Sequence, residues 1–433
     1  MEQEKSMTME FLTYTHGIML LWFLAHPACA QPLEQLIAIA LASHPSAQAQ
    51  TALVQSSQSG VDSARWQYYP TPSLSIEAAG TSGNDTLYQG DNRVAIARLQ
   101  QPLWTGGRLA AGVDKAAAGL TASQASLDDV KLQLGLRAIQ TYGDWLSADL
   151  KALAYEKSLA THVRLREQTK RRLTEGVSSE SDLTLALTRL EAVSADVTAA
   201  RSQADIAIAR LSQLVGRQID AAALRQTLAL PRDLGLGPAG LPGLLELALA
   251  ASPTVAKARA QARVQQATVD ERRADLLPEV YARLEYQSGN YNQANAAAQS
   301  RLFIGLSSRF GAGLSTLSNI EAAQTQYAAA LSEIEVQSRT LNEQVLTDHA
   351  QALALTSRLQ SMQTSLNSAQ DVSAAYDRQF LAGRKSWLDV MNAARELAQI
   401  EAQLADLQAM QVVVTWRLAA CTRGIQALSE STK

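Results

Sequence analysis

The sequence predicts a mainly α-helical protein with a small membrane β-barrel portion, in which long helices lie side by side and each chain contributes four β-strands. Three observations predict it. The chain is written twice at a near-constant spacing, a proline-free stretch in it far exceeds a globular helix, and each copy holds two short segments of period-two alternation. Composition agrees, because 47% apolar but only 5% aromatic residues among 433 favour long helices that touch through small side chains over one large core.

At the N-terminus, an apolar run from Ile18 to Ala25 precedes Ala28-Cys29-Ala30, the small-x-small pattern of a signal-peptidase site. Residues 1–30 are therefore read as a signal peptide cleaved after Ala30. Lys5 is outnumbered there by Glu2, Glu4 and Glu10, which points to a start at Met7 or Met9. No later segment holds an apolar run long enough for a membrane-spanning helix, so entry into a membrane has to be made some other way.

The repeat comes next. "ALASHPSAQAQ" (Ala40 to Gln50) aligns with "ALAASPTVAKA" (Ala248 to Ala258) at an offset of 208, which also sets Asp62 on Asp270, Arg65 on Arg273 and Pro70 on Pro278. Further on, Gly176 and Asp182 meet Gly383 and Asp389 at offset 207. Residues 31–224 are read as the first copy, 225–243 with Pro231, Pro238 and Pro242 as a linker, 244–424 as the second copy and 425–433 as a C-terminal tail.

Each copy opens with a helix of about thirty residues that ends at the paired proline, since proline removes a donor and disfavours helix at the residue before it. From Gly107 to Leu173 there is no proline, so an unbroken helix there reaches roughly 100 Å at 1.5 Å per residue. A helix of that length has to be buried laterally by others, as in a coiled coil or a barrel of helices. A glycine then interrupts the pattern at Gly176 and again at Gly383, and a final helix follows each break.

The short segments ahead of the long helices are expected to be hairpins at about 73–101 and 279–309. "PEVYARLEYQSG" sets Val280, Ala282, Leu284 and Tyr286 against Tyr281, Arg283, Glu285 and Gln287, and "SRLFIGLSSRF" sets Leu302, Ile304 and Leu306 against Gly305, Ser307 and Arg309. This is the pattern of a tilted membrane strand with one lipid face and one wet face, so Leu284, Leu302, Ile304 and Leu306 are expected toward lipid and Arg283, Glu285 and Arg309 toward a lumen. Ten of the 22 aromatic residues fall in 66–104 and 281–310, several near strand ends where interfacial girdles belong. Because four strands cannot close a barrel, several chains have to contribute to one.

Other function classes fare worse. A formal net charge of −3 supplies no basic field for nucleic acid. Outside the leader only Cys421 remains, and His44, His162 and His349 are far apart, so neither a disulfide nor a metal centre is expected. No phosphate-binding glycine loop, Ser-His pair or carboxylate pair at catalytic spacing is present, so neither an enzyme nor a cofactor is expected. A periplasmic coiled-coil adaptor or scaffold stays open as an alternative, although it calls for one helical hairpin inserted in glycine-rich lipoyl-like β domains rather than two hairpins and four amphipathic strands.

With a leader, a twofold repeat, one hairpin per copy and glycine-broken helices, the chain resembles the TolC-like outer-membrane channels of Gram-negative bacteria. The most specific pieces are "QPLWTGGRLAAGVDKAAA", "FLAGRKSWLDVMNAARE" and, more weakly, "LTEGVSSESDLTLA". The resemblance implies a homotrimer with a twelve-stranded barrel in outer-membrane lipid, continued through the periplasm by a helical barrel. It also implies an exit duct working with a periplasmic adaptor (membrane fusion) protein and an inner-membrane transporter, an ABC exporter if the tip motif marks the type I secretion branch. By the same resemblance Gly176 and Gly383 are tip turns, Asp389 is an aperture acid, and Lys385 ties neighbouring helices in the closed state. Asn392 stands where a second acid is usual, Asp182 is the first-copy counterpart of Asp389, and Trp387 reads either as inter-helix packing or as an adaptor contact.

Overall fold

The computed structural model describes residues 33–80, 90–226, 240–308 and 315–430; the expected leader, most of the linker and Arg309 lie outside them. The first half contains α1 (Leu33–Ser43), α2 (Pro45–Trp66), β1 (Thr71–Ala78), β2 (Arg93–Trp104), α3 (Arg108–Thr174), α4 (Glu180–Val215) and the short α5 (Ala221–Gln226). The second half repeats the order with α6 (Gly240–Ala251), α7 (Pro253–Ala274), β3 (Glu279–Ser288), β4 (Gln299–Ser307), α8 (Ser315–Leu381), α9 (Trp387–Arg423) and α10 (Ile425–Glu430).

Two expectations change. The opening helix of each copy is two helices, because Pro45 and Pro253 start a new one after the capping residues His44 and Ser252, whose side chains accept from the Ser46 and Val255 amides. Residues 425–430, read as tail, form α10, which sinks Ile425 and Leu428 into the core beside α1 and α3.

Helices α3 and α8 each run 67 residues, and at the α-helical rise each is about 100 Å long. Their lateral burial is uneven. Helix α3 packs on α4, α7 and α9, and a Cβ at Gly143 would lie 2.1 Å from Val413 Cγ2, so the missing side chain sets how closely α3 and α9 approach. Helix α8 packs on α7 and α9 but leaves Leu331, Val336, Leu346 and Leu353 exposed on the single chain. The main buried core, midway along α3, is centred on Ile139, Trp145, Leu211 and Trp416. Buried Asp348 accepts from Arg417 Nε at 2.7 Å and Gln344 Nε2 at 3.0 Å, and buried Asp149 from Arg225 Nε at 2.7 Å, which ties α5 to α3.

The two hairpins merge into one antiparallel sheet in the order β1-β2-β3-β4. Its central seam, β2 against β3, joins the two copies and sets Arg98 opposite Glu285 and Leu99 opposite Leu284. A register shift between Pro102 and Trp104 lets β2 run past the expected end near residue 101. Strands β1 and β4 are left as the edges.

Candidate functional site: strand faces and helical tip

Alternation in the strands becomes two chemically distinct faces. On one, Leu302, Ile304 and Leu306 are 72%, 76% and 70% exposed, with Leu74, Ile76, Leu284 and Tyr286 exposed beside them. On the other, Arg98 Nε donates to Glu285 Oε2 at 2.9 Å, Arg283 lies 3.9 Å from the same carboxylate, and the Arg283 guanidinium sits 4.7 Å over the Phe303 ring. Exposed Trp66, Tyr68, Tyr69 and Trp104 gather where the sheet meets the helices, with the Trp66 and Tyr69 rings 5.0 Å apart. An apolar band bordered by amphipathic aromatics has the chemistry of a membrane barrel's outer surface.

The opposite end of the molecule is the tip. Gly176 and Gly383 have φ of 74° and 73°, the left-handed backbone that ends a helix without a Cβ penalty. Each turn makes the same pair of bonds: Gly176 N–H donates to Leu173 O and Val177 N–H to Arg172 O, while Gly383 N–H donates to Phe380 O and Arg384 N–H to Gln379 O. The next helix is then capped by a serine that the sequence reading passed over. Ser179 Oγ accepts from the Asp182 amide at 3.1 Å and its own amide donates to Asp182 Oδ2 at 3.0 Å. Ser386 Oγ accepts from the Asp389 amide at 3.2 Å and donates to Asp389 Oδ2 at 2.8 Å. The S-x-x-D spacing was the available signal.

Asp389 also lies 3.7 Å from Lys385, whose ammonium sits 4.2 Å over the Tyr376 ring, so Lys385 fastens the start of α9 to α8 within one chain. The Ser386 hydroxyl, with Lys385 adding to it, holds the Asp389 carboxyl below its ordinary value. Asn392, one turn further on, is exposed. Trp387 is 7% exposed and packs with Leu165, Ala186, Phe380, Val390 and Met391, a cluster that brings all four tip helices together. Its indole N–H has no hydrogen-bond partner among the described residues. Exposed apolar surface at the tip comes instead from Val177, Leu381 and Leu388.

Of the remaining titratable groups, burial lowers His162, whose Nδ1 donates to the Ser158 carbonyl at 2.9 Å, and pushes the Cys421 thiol up to about 11. Both are helix-packing groups, remote from the strand faces and the turns. No described helix is long and apolar enough to cross a membrane.

A sheet with one lipid-ready face and two open edges, set on a long bundle of twice-repeated hairpins, defines an outer-membrane channel subunit. The sequence profile of the outer membrane efflux protein family matches residues 36–217 and 244–422, and the chain belongs to that family. It is 25% identical over 320 residues to the alkaline protease secretion protein AprF of Pseudomonas aeruginosa, a match covering 71% of this chain and 64% of that one. It is 27% identical over 374 residues to the cobalt-zinc-cadmium resistance protein CzcC of Cupriavidus metallidurans, covering 85% and 84%. The outer-membrane channel OprN superposes with a TM-score of 0.77 at 20% identity, covering 90% of this chain and 89% of that one. The chain is thus an outer-membrane protein with a long periplasmic helical extension, and the adaptor alternative falls away.

Proposed function

We propose that three copies of this chain join through the β1 and β4 edges into one twelve-stranded barrel, continued into the periplasm by a helical barrel, and that the assembly is a passive exit duct. Leu284, Leu302, Ile304 and Leu306 face lipid, and Arg283 and Glu285 face the lumen. The tip formed by the Gly176 and Gly383 turns meets a periplasmic adaptor, which connects the duct to an energised inner-membrane transporter. The secretion role in AprF's name, together with the "AGRKSWLDVMNAARE" tip, supports an ABC exporter as that transporter.

One observation carries the reading. The sheet is apolar on one face and charged on the other, yet among the described residues it has four strands with both edges open. Four strands enclose nothing, and an open edge in hydrocarbon leaves backbone donors and acceptors unpaired, so copies have to complete the barrel. Extracted in detergent, the protein should have the mass of three chains and should conduct ions in a planar bilayer. A single-chain particle that keeps its strands would overturn the proposal.

A further inference from the structure

The charged face of the sheet carries Glu77, Glu279 and Glu285 against Arg98, Arg283 and Arg301, and Glu279 is taken by Arg108 at its helix end, so the charges are unevenly placed along it. Cross-strand register puts Ser73, Arg98, Glu285 and Arg301 in one row across the four strands, and Thr71, Gln100, Arg283 and Phe303 in a neighbouring row on the same face. Same-face rows lie about 7 Å apart, so three arginines and a single glutamate share a patch near the middle of the sheet. The whole chain carries a formal charge of −3, so this local excess of positive charge runs against its overall balance.

Glu285 is occupied by Arg98, at 2.9 Å. Arg283 shares that carboxylate only at 3.9 Å, beyond hydrogen-bond reach, so one carboxylate faces three guanidiniums. Among the described residues Arg301 donates to two neutral amides, Gln287 Oε1 at 3.3 Å and Gln299 Oε1 at 2.7 Å. The Arg283 guanidinium carbon sits 4.7 Å over the Phe303 ring, and its Nε has no hydrogen-bond partner among the described residues. A guanidinium backed by an aromatic ring, sharing its one nearby carboxylate with two other arginines, can receive a further carboxylate through its terminal amino groups.

We propose that Arg283 and Arg301, backed by Arg98, form a belt inside the barrel that attracts carboxylate-bearing cargo, so that the duct favours acidic polypeptide segments over cations. The proposal rests on the duct reading, which turns this face to the lumen and places three copies of the belt around one passage. It separates the two relatives' printed roles, since such a belt repels divalent metal ions and draws in an acidic chain by a long-range field that low salt strengthens.

The test is block of single-channel current by a short oligoglutamate at low salt, added to one side of the bilayer at a time. Added on the barrel side, oligoglutamate should block while oligolysine of equal length should not. The double variant Arg283→Gln with Arg301→Gln leaves the Arg98–Glu285 bond in place and should raise the blocking concentration by at least about tenfold, since two guanidiniums are lost from each chain. The lysine pair at the same positions should retain block, which separates lost charge from a misfolded barrel. Equal block of wild type and the glutamine variant, stronger block by oligolysine, or block only from the tip side would overturn the belt. Absence of any wild-type current would instead overturn the duct.

Discussion

Replacing Gly383 isolates the worth of a single backbone conformation. Its φ is 73°, and a Cβ built there meets no atom within 4 Å, so Gly383→Ala introduces no clash and its cost is that of holding an L-residue in the left-handed region. That cost is about 1–2 kcal/mol, with asparagine cheaper because its side chain satisfies local backbone groups. The bonds at stake are Gly383 N–H to Phe380 O at 3.0 Å and Arg384 N–H to Gln379 O at 2.8 Å. If the turn opens locally, their amides should exchange roughly 5- to 30-fold faster in Gly383→Ala than in wild type, with Gly383→Asn in between. Valine, β-branched, should be worse than alanine. Hydrogen exchange on the detergent-solubilised protein, resolved to the peptide spanning residues 379–390, measures this. Unchanged exchange in the alanine variant, or an asparagine variant no better than alanine, would refute the idea that positive φ limits this turn.

The strand faces predict an asymmetry: Leu284→Arg should cost roughly 2–4 kcal/mol in barrel assembly, whereas Arg283→Leu on the opposite face should leave assembly in outer-membrane fractions intact. Trp387→Ala should destabilise the tip by about 3–5 kcal/mol, seen as faster proteolysis near the turns, while Trp387→Phe should be tolerated because the indole N–H has no partner to lose. Asp389→Ala should raise single-channel conductance at neutral pH without reducing the amount of assembled protein. Because the Asp389 carboxyl is lowered from 3.8 in the folded tip, its contacts are intact above that value and lost as pH falls below it; wild-type conductance should therefore step up only in that acid range, and the alanine variant should lack the step. Burial lowers His162 from 6.5, so it favours the folded helices above that pH and opposes them below it, and His162→Gln should flatten the loss of thermal stability between neutral pH and pH of about 5.

Much of the architecture is readable in the chain because it rests on local patterns. Period-two alternation assigns each strand residue to a face, proline-free length demands a long helix, and a recurring glycine marks a left-handed turn; none of these depends on knowing what touches what. The Ser179 and Ser386 caps belong to this class too, since their partners sit three residues away. Tertiary structure alone decided the rest. That the hairpins fuse along β2 and β3, with Arg98 facing Glu285 and Arg301 in the same row, depends on register between strands nearly two hundred residues apart, which no local signal carries. The same holds for Trp387, whose indole became interior when Leu165, Ala186 and Phe380 closed over it, and for α10, which left the expected tail because Ile425 and Leu428 find apolar surface on α1 and α3. Backbone preference and side-chain period are written residue by residue; burial and charge pairing exist only once distant segments have met, and in this protein that meeting sets three arginines around the Glu285 carboxylate.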